Sequence, residues 1–164
     1  MRSRVIAGVA ALATMAAFAA CGSDSTTTVD TTPTVTYTST MNAANEKPNA
    51  NASTATGTAT YTLKGNNLSF VVTVNGLTGP ATASHIHVGA ATASGGVIVP
   101  FVTGSVQSSN LTSGTIDLSA PVSNGNTSIT GDSLKVLLNN GNAYTNVHTA
   151  ANGGGEIRGQ IIKQ

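Results

Sequence analysis

The sequence is poor in charged side chains and in cysteine. Only 8% of its 164 residues are charged, and its single cysteine is Cys21. One cysteine excludes a disulfide bond within the chain, so this is not a disulfide-stabilised domain. The sequence also lacks a basic patch of the kind that neutralises a phosphate backbone, which argues against a nucleic-acid partner.

The N-terminal 20 residues have the pattern of an export signal. Arg2 and Arg4 precede an alanine-rich apolar run that ends at Ala20 and is shorter than the roughly 20 residues of a membrane-spanning helix. Cys21 follows, and the stretch FAAC is similar to the bacterial lipobox, whose cysteine is lipidated and becomes the mature N-terminus. We therefore predict that residues 1–20 are a lipoprotein signal peptide and that Cys21 is lipidated, with plain secretion as the alternative.

The rest of the chain divides into a short tether and one domain. Removal of residues 1–20 would leave five basic and six acidic side chains, a formal net charge of −1. The polar, threonine-rich residues 21–33 have the composition of a flexible tether, and residues 34–164 are long enough for one domain with a substantial core. We expect an exported cell-envelope protein whose membrane attachment is the lipid on Cys21 rather than electrostatic attraction.

Residues 34–164 have the pattern of an all-β domain. Clusters of Gly and Asn recur at short intervals, and alternating segments rich in Thr and Val lie between them. The segments TATYTLKG and LSFVVTVNG, joined by a turn at residues 65–67, predict a hairpin. In it, one face of each strand is apolar: Tyr61 and Leu63 on the first strand, and Leu68, Phe70, Val72 and Val74 on the second.

One segment, GDSLKVLLNNGN, predicts a helix instead of a strand. Its leucines have helical spacing over residues 133–139, and Asp132 stands where an N-cap is expected. Asn140 and Gly141 follow, and residues of these types adopt the left-handed backbone conformation that commonly ends a helix. Many short strands with at most one short helix predict a sandwich-like or barrel-like antiparallel β domain.

Two of the three histidines stand two residues apart in the stretch ASHIHVG. Alternate residues of a strand point to the same side, so His85 and His87 should share one face, with Ile86 and Val88 in apolar packing on the other. Two imidazoles on one strand can bind a transition metal if a third ligand comes from elsewhere. The remaining histidine, His148 in YTNVHT, is the candidate third ligand.

Further polar residues stand close to His148 in the sequence. Tyr144 and Asn146 should share its face of a strand, and Glu156 and Arg158 should share a face in GEIRGQ. These side chains could form a hydrogen-bonded network in which neutral imidazoles fix the strand register. Glu156 and Arg158 could also form a partly buried ion pair. A structural network and a metal site therefore stand as alternatives.

Three stretches together resemble the CHRD domain, a module named from chordin that also occurs alone in bacterial exported proteins. They are ASHIHVG, AYTNVHTAANGGGEIRGQI and, more loosely, MNAANEKPNANASTATGTATYTL, within residues 34–164. The resemblance implies an extracytoplasmic β-rich domain without an established catalytic activity. The positions that match the family pattern are Glu46, Pro48, His85, His87, His148, Glu156 and Arg158.

The H-x-H strand with a distant histidine is also similar to copper/zinc superoxide dismutase. That resemblance implies an immunoglobulin-like antiparallel β-sandwich, and copper or zinc as the cofactor that His85, His87 and His148 could hold. The sequence lacks the further histidine, the acidic zinc ligand and the disulfide of that enzyme. The likeness therefore serves as an analogy for three histidines that converge on one metal.

Hydrolytic chemistry is disfavoured by the remaining residues. Ser84 should lie on the opposite strand face from His85, and the sequence has no G-x-S-x-G motif. The sequence thus predicts a lipid-anchored extracytoplasmic binding or interaction module with no catalytic residue and with an unidentified protein or cell-envelope partner. The alternative is a copper- or zinc-binding protein, which could be redox-active.

Overall fold

The computed structural model describes residues 30–101 and 103–164; the predicted signal peptide, Cys21 and most of the predicted tether lie outside them. Thr31–Gln164 form one compact unit. It contains one α-helix, α1 (Gly131–Asn139), and a 3-10 turn at Ala43–Asn45. The strands are β1 (Thr34–Asn42), β2 (Thr56–Lys64), β3 (Asn67–Asn75), β4 (Ala81–Val88), β5 (Val97–Pro100), β6 (Ser109–Asp117), β7 (Val122–Ser123), β8 (Ser128–Ile129), β9 (Ala143–Thr149), β10 (Ile157–Gln160) and β11 (Ile162–Lys163).

Nine of the strands form one curled antiparallel sheet. Its order is β5–β4–β9–β10–β1–β2–β3–β6, with β11 paired to β1, and β7 and β8 form a separate ribbon. The two halves of the sheet face each other: Tyr61 Oη on β2 lies 2.8 Å from Thr145 Oγ1 on β9. Phe70 on β3 stacks on Phe101, which follows β5, with ring centroids 4.4 Å apart. The predicted antiparallel all-β fold with one short helix is confirmed, and most of its strands belong to one curled sheet.

The predicted hairpin is present as β2 and β3. Lys64 pairs with Asn67, so the turn itself consists of Gly65 and Asn66. Gly65 has a φ of 61°, in the left-handed region that a residue without a Cβ adopts at little cost. The alternate residues expected on one face are all buried in the apolar core: Tyr61, Leu63, Leu68, Phe70, Val72 and Val74.

The helix is present, but its predicted N-cap was wrong. Thr130 Oγ1 accepts a hydrogen bond from the backbone N–H of Ser133, so Thr130 caps the helix. Asp132 lies within the first turn instead, and its carboxylate is 3.0 Å from Lys135 Nζ. Both threonine and aspartate can cap a helix, and Thr130 stands two residues before Asp132, so local sequence does not distinguish the two positions. Leu134 and Leu138 bury the inner face of the helix.

Strand β4 has a different environment on each face. Ser84 and Ile86 point into the apolar core, and His85 and His87 point to the outer face, as the alternation predicts. The apolar packing expected for Val88 was wrong, since this side chain is 38% exposed. Val88 is the last residue of β4, and it follows the register shift of the β4–β5 pairing between Ile86 and His87.

Candidate metal centre

A second, polar cluster is buried on the outer face of β4, β9 and β10. Most of its residues are nearly inaccessible although they lie outside the apolar core, because the loops around Glu46, Gly95 and Gly153 cover this face, whereas His85 and His148 are half-buried. The fold thus shields a group of ionisable side chains in a chain with few charges. The buried members are Glu46, His87, Tyr144, Asn146 and Arg158.

The three histidines converge in this cluster. His85 and His87 extend from one face of β4, and their ring centroids are 5.4 Å apart. His148 extends from the neighbouring strand β9, with its centroid 5.1 Å from that of His85 and 6.2 Å from that of His87. One nitrogen from each ring lies within 4.8 Å of the other two. The side chains that the sequence suggested as ligands therefore share one small volume.

Backbone carbonyl groups orient two of the three rings. His87 Nδ1 is 2.9 Å from the carbonyl oxygen of Gly95, and His148 Nδ1 is 3.0 Å from that of Gly153. A carbonyl oxygen can only accept, so each Nδ1 carries the proton and donates it. In the neutral rings this leaves a lone pair on Nε2 of His87 and of His148. Hydrogen bonds of this kind fix the tautomer of metal-ligating histidines.

The nitrogens that remain are buried and have no hydrogen-bond partner among the residues that the structure describes. They are Nδ1 of His85, Nε2 of His87 and Nε2 of His148. A buried polar atom without a partner costs about 1–3 kcal/mol, so native folds rarely retain one without a reason. Three such atoms, one from each converging ring, form an arrangement that a bound cation would satisfy.

The environment keeps the imidazoles neutral. Burial and, to a smaller extent, the neighbouring His148 and His87 together lower the pKa of His85 to about 4. Burial also lowers the pKa values of His87 and His148, against the opposing effect of their hydrogen bonds to Gly95 and Gly153. A neutral imidazole is the form that ligates metals. All three rings are therefore in the ligating form at neutral pH.

The ring of His87 stacks on the ring of Tyr144. The rings of His87 and Tyr144 are nearly parallel, with centroids 4.8 Å apart and an interplanar angle of 11°. On the other face of this stack, Arg158 Cζ lies 3.5 Å from the centroid of Tyr144. The guanidinium also donates to the carbonyl oxygens of Ala90 and Ala93 in the covering loop. The stack therefore links the loop, the strand β10 and the candidate ligand His87.

Glu46 also belongs to the cluster, although it lies far from the histidines in the sequence. Its Oε1 accepts a hydrogen bond of 2.6 Å from Asn146 Nδ2. Burial raises the pKa of Glu46 to about 6, against the lowering effects of the Asn146 hydrogen bond and of the charges on Arg158 and Lys47. The available signal was its position in the motif Glu46-Lys47-Pro48, which matches the family pattern.

Glu156 forms a separate network. Its carboxylate accepts hydrogen bonds from the hydroxyls of Ser53 and Thr149, and from both the hydroxyl and the backbone N–H of Thr78. Burial raises the pKa of Glu156, but these hydrogen bonds outweigh it and hold the pKa below its ordinary value. Arg158 contacts Tyr144 and two carbonyls instead. The suggested pairing of Glu156 with Arg158 is thus not the arrangement adopted.

The fold and the site define an all-β binding module with a buried polar cluster on one sheet face. Residues 37–161 match the family model of the CHRD domain, and the chain belongs to the CHRD domain family. Membership supports an extracytoplasmic module of the binding type. No curated protein and no solved structure gives a significant match to the chain. Within the described residues, no helix has the length and apolar character needed to cross a bilayer.

Proposed function

We propose that this CHRD domain binds one transition-metal ion, copper or zinc, through His85, His87 and His148. The observation that carries the proposal is the convergence of three imidazoles, one nitrogen of each lying within 4.8 Å of the other two. Each ring also has one buried nitrogen without a hydrogen-bond partner in the described part of the chain. Each ring comes from a strand of the sheet rather than from a loop, so the ligands are held by the rigid part of the fold.

The distances fit such a site after a small adjustment. Zinc–imidazole bonds are about 2.0–2.1 Å long, so bound nitrogens lie roughly 3.4 Å from one another. The ligating nitrogens here lie within 4.8 Å of one another, and small rotations about the side-chain torsions can close the difference. The carbonyls of Gly95 and Gly153 supply the outer hydrogen bonds that metal-bound histidines commonly make.

The anchor in this proposal is the lipid on Cys21, which lies outside the described residues. A lipidated N-terminus followed by the polar residues 22–33 would hold the metal-binding domain close to a membrane surface. The function we propose is therefore metal binding at the cell envelope, by a module to which we assign no catalytic residue.

The test is metal analysis of the full-length protein, produced without a histidine tag and loaded with copper or zinc. We expect one ion per chain, and an affinity at least about 10-fold lower in His148→Gln, because losing a ligand should cost no less than losing an outer-shell partner. The matched control is Ser84→Ala, which alters a buried residue beside His85 on the opposite strand face and should leave binding unchanged. Wild-type protein without stoichiometric metal would refute the proposal.

A further inference from the structure

The donor atoms of the cluster carry no negative charge. The group of side chains that could hold a metal consists of three imidazoles, without a carboxylate or a thiolate. The two nearby acidic residues are engaged elsewhere: Glu46 with Asn146, and Glu156 with Ser53, Thr78 and Thr149. An ion bound by this group would therefore keep its full charge in a largely buried environment.

We infer that this centre selects copper(I) over copper(II) and zinc(II), an inference that rests on the proposed function. The cost of moving an ion out of water rises with the square of its charge, so burying a dication costs about four times as much as burying a monocation. Anionic ligands usually offset this cost for divalent ions, and none is present in the ligand group. Copper(I) has the lower cost of leaving water and can be bound by the same three nitrogens.

The number of ligands favours the same ion. Structural zinc sites are almost always four-coordinate and tetrahedral. The cluster supplies three converging nitrogens, and the group includes no fourth protein ligand within the described residues. Copper(I), like zinc(II), has a filled d shell, but its single charge lets it remain three-coordinate with three nitrogen ligands. A dication at this position would need an additional ligand from solution.

The surrounding charges make a smaller contribution of the same sign. The positive charge of Arg158 contacts the ring of Tyr144, and this ring stacks on His87. A fixed positive charge is therefore separated from the candidate ligand His87 by one aromatic ring. This charge disfavours a dication more than a monocation. Glu46, close enough for its charge to interact with that of Arg158, offsets part of the effect. Removal of the Glu46 charge should thus increase the preference for copper(I).

The test compares affinities in full-length protein without a histidine tag. Copper(I) affinity is measured anaerobically by competition with a chromophoric copper(I) chelator, and copper(II) and zinc(II) affinities by competition with chelators of known affinity. We expect copper(I) to bind at least tenfold more tightly than either dication. Against copper(II), a tenfold preference raises the potential of the bound one-electron couple by 59 mV above that of the aqueous ions.

The variant Glu46→Gln keeps a carbonyl oxygen that can accept from Asn146 but removes the charge, and it should raise the copper(I)/copper(II) preference several-fold. Asp132→Asn removes a charge from the exposed start of helix α1 and should leave the preference unchanged. Copper(II) or zinc(II) binding as tight as copper(I) would overturn the inference and leave the metal site standing. Absence of all three ions from the wild-type protein would overturn both.

Discussion

His87 and Tyr144 pair directly across strands β4 and β9, and their rings stack with centroids 4.8 Å apart. The Tyr144 hydroxyl also accepts from the N–H of Gly95 and lies 3.3 Å from the carbonyl oxygen of the same residue, to which His87 Nδ1 donates. The tyrosine thus holds both the ring and the loop that fixes its tautomer. We regard it as a positioning residue for the candidate ligand.

Replacing Tyr144 with Phe should separate this positioning role from general stability. The change keeps the ring stack but removes the hydroxyl contacts to Gly95, so we expect a loss of about 1 kcal/mol in the free energy of unfolding. The freed loop should also lower metal affinity by about 10-fold, the effect typical of outer-shell contacts. Denaturant unfolding and competition binding measure the two quantities.

Tyr37→Phe is the matched control for this prediction. The Tyr37 hydroxyl donates to Asn139 Oδ1 at 3.0 Å, on the side of β1 that contacts the helix end, so the same kind of bond is lost away from the histidines. It should lose a similar amount of stability without a change in metal affinity. Equal affinity losses in both variants would contradict a positioning role for Tyr144.

The buried carboxylate of Glu46 predicts a pH dependence of stability. Its pKa is raised to about 6 in the folded protein from 4.5, so the folded state holds the proton more tightly than the unfolded state. The resulting stabilisation is fully present below about pH 4.5 and is lost as the pH rises through 6. We expect the stability of metal-free wild-type protein, relative to Glu46→Gln, to be up to about 2 kcal/mol higher at pH 4.5 than at pH 7.5. A difference independent of pH would contradict this assignment.

The network around Glu156 should matter for stability alone. Glu156→Gln replaces a carboxylate that accepts from Ser53, Thr78 and Thr149 with a neutral amide. Hydrogen bonds to charged groups contribute about 1.5–3 kcal/mol, so we expect the free energy of unfolding to fall by about 2 kcal/mol. Metal affinity, measured well below the denaturation temperature, should stay within about twofold of wild type, since none of these contacts touches a histidine. A large loss of affinity in the folded variant would show that the two networks are coupled.

The membrane anchor has its own test. Cys21→Ser removes the thiol that lipidation needs, so we expect the protein to move from the membrane fraction to the soluble fraction of the cell envelope. Ser23→Ala, two residues further along the tether, should leave the protein in the membrane fraction. Retention of the cysteine variant on membranes would contradict the lipoprotein interpretation of residues 1–21.

The features of the fold and the site that could be predicted from the sequence are those that depend on the alternation of side chains along a strand. Two-residue periodicity identified the β2–β3 hairpin and placed His85 and His87 on one face, because the side-chain direction in a strand depends on local geometry alone. The register that brings His148 beside them depends on the pairing of β4 with β9, about 60 residues further along the chain. The sequence offered His148 only as a candidate third ligand, and it did not predict this strand pairing.

The covering loops could not be predicted in the same way. The carbonyls of Gly95 and Gly153 carry no sequence signal for hydrogen bonding, since every residue has such a group. Glu46 reaches Asn146 across 100 residues of chain, so local pattern cannot connect them. The part of the site that depends on loop conformation therefore became visible only in the folded structure.

The most direct test of the central claim is X-ray absorption spectroscopy at the metal edge of full-length protein loaded with one equivalent of copper(I) or zinc. We expect three nitrogen neighbours at about 2.0 Å with the outer-shell pattern of imidazole, and one fewer imidazole in His148→Gln. A metal coordinated by oxygen atoms, or by a single imidazole that His148→Gln leaves unchanged, would contradict the claim that His85, His87 and His148 form one metal centre.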